Sequence, residues 1–457
     1  MPPSNDRAPQ GSPHVGPAVV PPATDMLRVG SRRWFLQTGL AGLAGLTLAD
    51  TLRLQAASTT RSRDPRAVIL FWLSGGPSQL DTWDPKPDAP AEIRGPYRTI
   101  PTSVPGIRLS EHLPLQARLM HKLSILRTVD CSASTHTPIT MQAASALALH
   151  TNEGNGYPSM GSIAARFRGP NHPSMPAFIG LADSWKADVY GAGHLGAAYQ
   201  PVKGNELAGR LALPPGIAVP RLRERDEMRR QFDQLQRRLD VGSGMEQTDR
   251  YTSLALDMVV SPTVRQAFDL DRESDRMREA YGRCSVGEKA LLARRLVEAG
   301  STFVLVSGRW GYFDHHGDNV PPWGGIQKGL TPILPTIDRA LTTLIEDLDA
   351  RGLLDSTLIL MMGEFGRSPV MTKDAGRDHW LPVMSMLLAG GGGRHGQAIG
   401  STDERGGTIK SRPIQPGDLA ATVFRHLGIP LDAQWTNPQG RPIPIVTGEG
   451  RPLSELS

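Results

Sequence analysis

The apolar positions of this chain gather in short unbroken runs. Residues 67–73, Ala-Val-Ile-Leu-Phe-Trp-Leu, are apolar throughout and stop at Ser74-Gly75-Gly76-Pro77. A β-rich run of that length, ended by Gly and Pro, predicts a strand buried on both faces, as in a parallel sheet. The same pattern predicts strands at 123–129, 176–181, 302–306, 356–362 and 383–388, the last closed by Gly390-Gly391-Gly392-Gly393. Helical spacing predicts helices at 287–299, ending at Gly300, at 333–350, ending near Gly352, and at 416–427. Another is predicted at 138–149, with Pro138 at an early position, where a missing N–H is tolerated. Residues 84–106 read as a Pro-rich loop. Residues 221–239 alternate charges at helical spacing and read as a solvated helix face. Strands alternating with helices predict an α/β fold, a mostly parallel doubly wound sheet with helices on both faces.

The first part of the chain follows another pattern. Ser31-Arg32-Arg33-Trp34-Phe35-Leu36 opens a stretch that carries no charge from Trp34 to Ala49. Its repeated glycines keep it only moderately apolar, and it falls short of the ~20 residues that span a bilayer. This predicts a removed twin-arginine signal over 31–58, cleaved near Ala56-Ala57-Ser58, and no permanent membrane span. The export machinery of that route is then a partner, and the destination is periplasmic or extracellular. Residues 1–30 read as a disordered leader extension, with Met26 as the expected start of translation. Residues 66–440 are expected to form a single domain and 441–457 a C-terminal tail.

Composition changes this picture little. The net charge of +5 comes with no basic stripe interleaved with aromatics, so no nucleic-acid partner is expected. Cys131 and Cys284 lack the spacing of a zinc or redox pair. One disulfide and two unpaired buried thiols are both open readings.

In sheets of this kind the working site lies at the carboxyl ends of the strands. After the first predicted strand come Ser78, Asp81 and Asp84. After 302–306 come Asp314, His316 and Asp318, on alternate positions that point one way along an extended stretch. Glu364 and Arg367 follow 356–362, and Arg377, Asp378 and His379 come shortly after. Carboxylates and imidazoles delivered by separate strand ends suit one or two divalent cations, Zn or Mn ahead of Ca or Mg. Asp81, Asp314, His316, Asp318, Glu364, Asp378 and His379 are the candidate ligands. Arg367 and Arg377 are candidates to hold a tetrahedral anion, or simply to pair with a neighbouring carboxylate. Between the second strand and its helix lies Ser132-Ala133-Ser134-Thr135-His136-Thr137. Thr135 or Thr137 is a candidate nucleophile and His136 a ligand or acid; capping of the helix by Thr137 is the simpler role.

Four stretches carry a family resemblance. They are Gly75-Gly76-Pro77-Ser78-Gln79-Leu80-Asp81-Thr82-Trp83-Asp84, Asp314-His315-His316-Gly317-Asp318-Asn319, Gly363-Glu364-Phe365-Gly366-Arg367-Ser368-Pro369 and Gly376-Arg377-Asp378-His379-Trp380. Together they resemble the secreted bacterial family known as domain of unknown function 1501. That family is similar to the alkaline-phosphatase-like superfamily of sulfatases, phosphodiesterases and related enzymes. The resemblance implies an alkaline-phosphatase-like core and an exported metal-dependent hydrolase of sulfate or phosphate esters. Its substrate would be a small anionic ester or a sulfated or phosphorylated glycan. The sequence departs from the sulfatase pattern: Cys131-Ser132-Ala133-Ser134-Thr135 lacks the Pro and Arg that accompany a formylglycine precursor. The alternative is a catalytically silent exported protein of the same fold that binds a carbohydrate, an envelope component or a partner protein.

Overall fold

The structure, a computed structural model, describes residues 65–149, 156–210, 221, 224, 258–309 and 311–457. The expectations for the leader, the signal, the start at Met26 and most of 221–239 lie outside the described residues.

Among the described residues, eight strands form the central sheet. They are β1 (Ala67–Trp72), β2 (Leu123–Val129), β3 (Phe178–Leu181), β4 (Val202–Lys203), β5 (Phe303–Ser307), β6 (Thr357–Met362), β7 (Met384–Gly390) and β8 (Gln397–Ile399). Their spatial order is β8-β2-β7-β6-β1-β5-β3-β4. β1 is parallel to both neighbours, β5 and β6, so its backbone is bonded on each edge. Only β7 runs against its neighbours, pairing antiparallel with β2 and β6. This mostly parallel sheet is the α/β architecture that the apolar runs predict. The edge strands β4 and β8 are not predicted, because two or three residues carry no readable alternation.

Helices cover both faces, and the pleat of β1 shows how. Ile69 and Phe71 join one core with α3 (Ser285–Glu298) and α4 (Leu334–Ala350). Val68, Leu70 and Trp72 join the opposite core with α1 (Ile139–Ala143), α2 (Met160–Phe167) and α5 (Pro416–His426). Successive side chains of a strand point to opposite faces, so an unbroken apolar run is what a strand between two helical layers requires. Residues beyond 440 stay packed on this body: Ile445 and Leu453 are buried in the second core.

The helix expected at 138–149 is shorter. It stops at Ala143, because Ala144 turns left-handed at φ 49°. The Ser145 hydroxyl accepts the Leu147 N–H at 3.2 Å, and a one-turn 3₁₀ segment, Ala146–Leu149, follows. A serine hydroxyl offers the backbone an alternative to the helical ladder, which apolar periodicity does not reveal. The stretch 84–106 is likewise more than loop. It contains a helical turn, Ala91–Arg94, and a strand, Thr99–Pro101, paired with Arg108–Ser110. Among the described residues no helix is long and apolar enough to cross a membrane.

Candidate metal centre at the strand ends

Each element at the carboxyl ends of β1, β2, β5 and β6 delivers one part of the site. The chain leaves β1 through Gly75 and Gly76, at φ 105° and 86°. A Cβ on Gly75 would lie 2.5 Å from the Asp314 backbone nitrogen, so glycine is what lets this turn touch the loop after β5. The Gly75 N–H donates to Glu364 Oε1 at 2.9 Å, fixing the carboxylate that follows β6. Phe313 N donates to Ser74 O at 2.8 Å and Gly311 N to Ser74 Oγ at 3.2 Å, which docks the loop that carries Asp314. An antiparallel ribbon, Gly366–Arg367 with His379–Trp380, places His379 directly opposite Arg367. His136 comes from the segment between β2 and α1.

These residues converge on Asp314. Its Oδ1 lies 3.0 Å from His316 Nε2, 3.0 Å from His379 Nε2 and 2.5 Å from the Arg367 guanidinium. Its Oδ2 lies 3.4 Å from His136 Nε2. His316 Nε2 and His379 Nε2 are themselves 3.0 Å apart. His136, Asp314 and His379 offer ligand atoms that all lie within 4.8 Å of one another. Nitrogen and oxygen ligands about 2.05 Å from a tetrahedral ion sit ~3.3 Å from each other. The separations of 3.0–3.4 Å bracket that value. The imidazoles keep 27–29% of their side chains exposed, so the cluster opens to solvent.

Two of the histidines are held from behind. His136 Nδ1 lies 2.9 Å from Glu364 Oε1, and His316 Nδ1 lies 3.1 Å from Asp378 Oδ1. A carboxylate on the far ring nitrogen fixes the tautomer and aims the other nitrogen, the usual arrangement behind a metal-binding imidazole. Glu364 and Asp378, expected as ligands, therefore stand behind His136 and His316 and orient them. The donors fit a divalent cation: His136, Asp314 and His379 form a mutually close set, His316 Nε2 adjoins it at 3.0 Å from both Asp314 Oδ1 and His379 Nε2, and two of the three imidazoles are already supported.

The local electrostatics agree. Burial pushes the Asp314 carboxyl up, but bonds from His136, His316 and His379 and the Arg367 charge overcome it and hold the group well below the usual carboxylate range. Hydrogen bonds to Asp314 and Glu364 raise His136 to about 9, and the bond to Asp314 also raises His316. Burial lowers His379. A proton on His136 thus supplies positive charge that a cation would otherwise bring, and a cation would displace it. His315, between Asp314 and His316, points away: its Nδ1 faces Trp323 O at 3.1 Å, and burial pulls it down to about 4.

Other expected site residues lie elsewhere. Asp81 does not reach the cluster. Arg377 Nε meets its Oδ2 at 2.6 Å, Ser78 Oγ meets the same oxygen at 2.5 Å, and both partners of the ion pair are fully buried. A guanidinium supplies there the charge that the sequence pattern assigns to a cation. Arg367 is buried too, and donates to Gly75 O, Gly76 O, Arg377 O and Asp314 Oδ1. Both arginines are committed to the protein itself, which leaves neither presented as an anion clamp. Asp318 pairs with Lys328 at 2.8 Å and accepts the Gly325 N–H, so it braces its own loop. Thr137 does not cap α1, whose first turn has no side-chain cap; its hydroxyl lies 3.1 Å from that of Thr135. Cys131 is buried after β2, Cys284 is half-buried before α3, and both thiols are free. Gly75 is a working residue absent from the candidates, although the Gly-Gly pair ending β1 marks it in the sequence.

Residues 65–457 match the family model described as "Protein of unknown function (DUF1501)". A search of curated proteins gave no match. Among solved structures, the chain is similar to one described as Ps i-CgsB at 10% identity and a TM-score of 0.38, covering 80% of this chain and 72% of that one. It is similar to the PsFucS1 sulfatase from Pseudoalteromonas sp. at 11% identity and 0.37, covering 83% and 70%. It is also similar to the phosphonate monoester hydrolase SpPMH from Silicibacter pomeroyi at 11% and 0.34, covering 84% and 74%.

Proposed function

This chain belongs to the DUF1501 family of proteins of unknown function, and from that premise we propose that it is an exported metal-dependent hydrolase of sulfate or phosphate esters. The observation that carries the reading is the pair of supported imidazoles, His136 on Glu364 and His316 on Asp378, turned with His379 toward Asp314. His136, Asp314, His316 and His379 would hold the cation. Three imidazoles favour Zn or Mn over the oxygen-loving Ca or Mg. When bound, such a cation polarises an ester oxygen and lowers the pKa of a coordinated nucleophile.

The chain's own residues account for the rest of the reading. Arg367 fixes Asp314 by a charge-assisted bond and ties it to the Gly75-Gly76 turn. Glu364 and Asp378 set the ring orientations. Thr135 and Thr137 flank His136 in the chain and are the candidate nucleophiles; Thr135 is exposed and Thr137 half-buried. The imidazoles line the open side, where an anionic ester would enter. The substrate is then a small anionic ester or a sulfated or phosphorylated glycan. Delivery by the twin-arginine machinery to the periplasm or the exterior rests on Ser31-Arg32-Arg33-Trp34-Phe35-Leu36.

A panel of aryl sulfates, phosphomonoesters and phosphodiesters, offered to Zn- and Mn-loaded protein, tests the reading. Turnover of at least one class that falls to background in His379→Ala supports it. Equal, negligible rates for wild type and variant overturn it. The commitment of Arg367 and Arg377 to internal partners favours one other reading, an exported protein of this fold that binds a carbohydrate, an envelope component or a protein. Saturable binding of a panel ester without turnover is its signature.

A further inference from the structure

A second group of buried polar side chains lies at the strand ends, behind the histidine cluster. Ser74 follows β1, Ser307 ends β5, Asp188 lies seven residues beyond the end of β3 and Glu364 follows β6. The sheet order β6-β1-β5-β3 makes these neighbouring strand ends. Asp188 is 0% exposed, and the other three are 2% exposed. Among the described residues, no well-formed hydrogen bond reaches either carboxylate oxygen of Asp188, Glu364 Oε2 or Ser307 Oγ. Asp188 faces the hydroxyls of Ser74 and Ser307 and feels the charge of Glu364. The buried amine nearby is already engaged: Lys289 Nζ donates to Ser307 O at 2.7 Å and pairs with Asp183 at 2.7 Å.

A buried carboxylate without a well-formed hydrogen bond is costly, and a second carboxylate nearby adds repulsion. Burial accordingly pushes Asp188 up to about 7. The orphaned atoms are all oxygens, with no nitrogen or sulfur among them. Such donors suit hard cations, and an irregular set of carboxylates and hydroxyls suits Ca²⁺, which tolerates varied geometry, better than Mg²⁺, which demands a regular octahedron.

We propose that Asp188, Glu364, Ser74 and Ser307 form a buried calcium site behind the histidine cluster. Glu364 then joins the two centres, with Oε1 on His136 and Oε2 on the calcium side. The site does not depend on the hydrolase reading, since a structural Ca²⁺ serves a binding protein equally well.

Titration of the full chain with Tb³⁺, then Ca²⁺ competition, tests this directly. Trp72, two residues before Ser74, and Trp185, three before Asp188, serve as luminescence donors. Wild type should give saturable Tb³⁺ luminescence that Ca²⁺ abolishes and equimolar Mg²⁺ does not. Asp188→Asn, close to isosteric, should lose it; Ser307→Ala should weaken Ca²⁺ roughly tenfold. His379→Ala should retain it, which separates this site from the histidine centre. Should Asp188→Asn not fold, the wild-type and Ser307→Ala titrations decide. No Ca²⁺-displaceable luminescence in wild type, or unchanged Ca²⁺ affinity in both variants, overturns the proposal.

Discussion

His316 and His379 bring their Nε2 atoms to 3.0 Å of each other, and both to 3.0 Å of Asp314 Oδ1. Two imidazole lone pairs cannot face each other at that distance without a proton or a cation between them. In a metal-loaded protein the cation takes that place. Replacing His379 by Ala is therefore expected to lower zinc affinity by more than the ~100-fold upper end typical for loss of a supporting partner. Competition against a chelator of known affinity measures it.

The supporting carboxylates should matter less, and unequally. Glu364→Gln and Asp378→Asn are each expected to weaken zinc by ~10–100-fold. Glu364 should show the larger effect, because its side chain is 3% exposed while that of Asp378 is 71% exposed and shared with water. Equilibrium dialysis at fixed pH checks the order. A larger loss in Asp378→Asn would contradict the role assigned to Glu364.

Asp81 and Arg377 lead to a prediction about stability. Both are fully buried, and removing one partner leaves an uncompensated charge. Asp81→Asn is expected to cost about 3–5 kcal/mol, with zinc stoichiometry unchanged. Denaturant unfolding and metal analysis of the same sample separate this from a ligand role. Loss of the metal in a folded Asp81→Asn protein would return Asp81 to the metal centre.

His426 leads to a prediction about pH, away from the site. Its Nε2 faces Ala67 O at 2.9 Å, and burial lowers it to about 4. A histidine with a depressed folded value supports the fold above its unfolded pKa of about 6.5 and loses that support as pH falls toward 4. With its partial exposure, about 1–2 kcal/mol should disappear over that window. His426→Gln, which keeps a donor for Ala67 O, should flatten that part of the stability profile. Thermal melts from pH 7 to 4 show whether it does.

Much of this fold is readable from the chain. Ile69 and Phe71 on one core, with Leu70 and Trp72 on the other, follow from an unbroken apolar run. The strand-end position of Asp314, His316 and His379 follows from element order. What the chain does not display is which charge meets which. Asp81 looks like a ligand until Arg377, 296 positions away, is found against it. Arg367 looks like a clamp until its donors are found on Gly75, Gly76 and Asp314. Glu364 and Asp378 have the right chemistry for ligands, and only the ring orientations of His136 and His316 place them one step behind. Asp188 carries no sequence signal at all, sitting in a four-residue helix, Trp185–Asp188, with no motif around it. Pairings between distant segments are set by packing, which local pattern does not encode.

The most direct measurement is the metal content of purified protein, beside His379→Ala and a His136→Ala variant, after dialysis against equimolar Zn²⁺, Mn²⁺, Ca²⁺ and Mg²⁺. The histidine cluster predicts about one tightly held Zn or Mn per wild-type chain, absent from both variants while they remain folded. Wild type with no bound Zn or Mn, or variants that keep it in full, would contradict a metal centre built on His136, Asp314, His316 and His379.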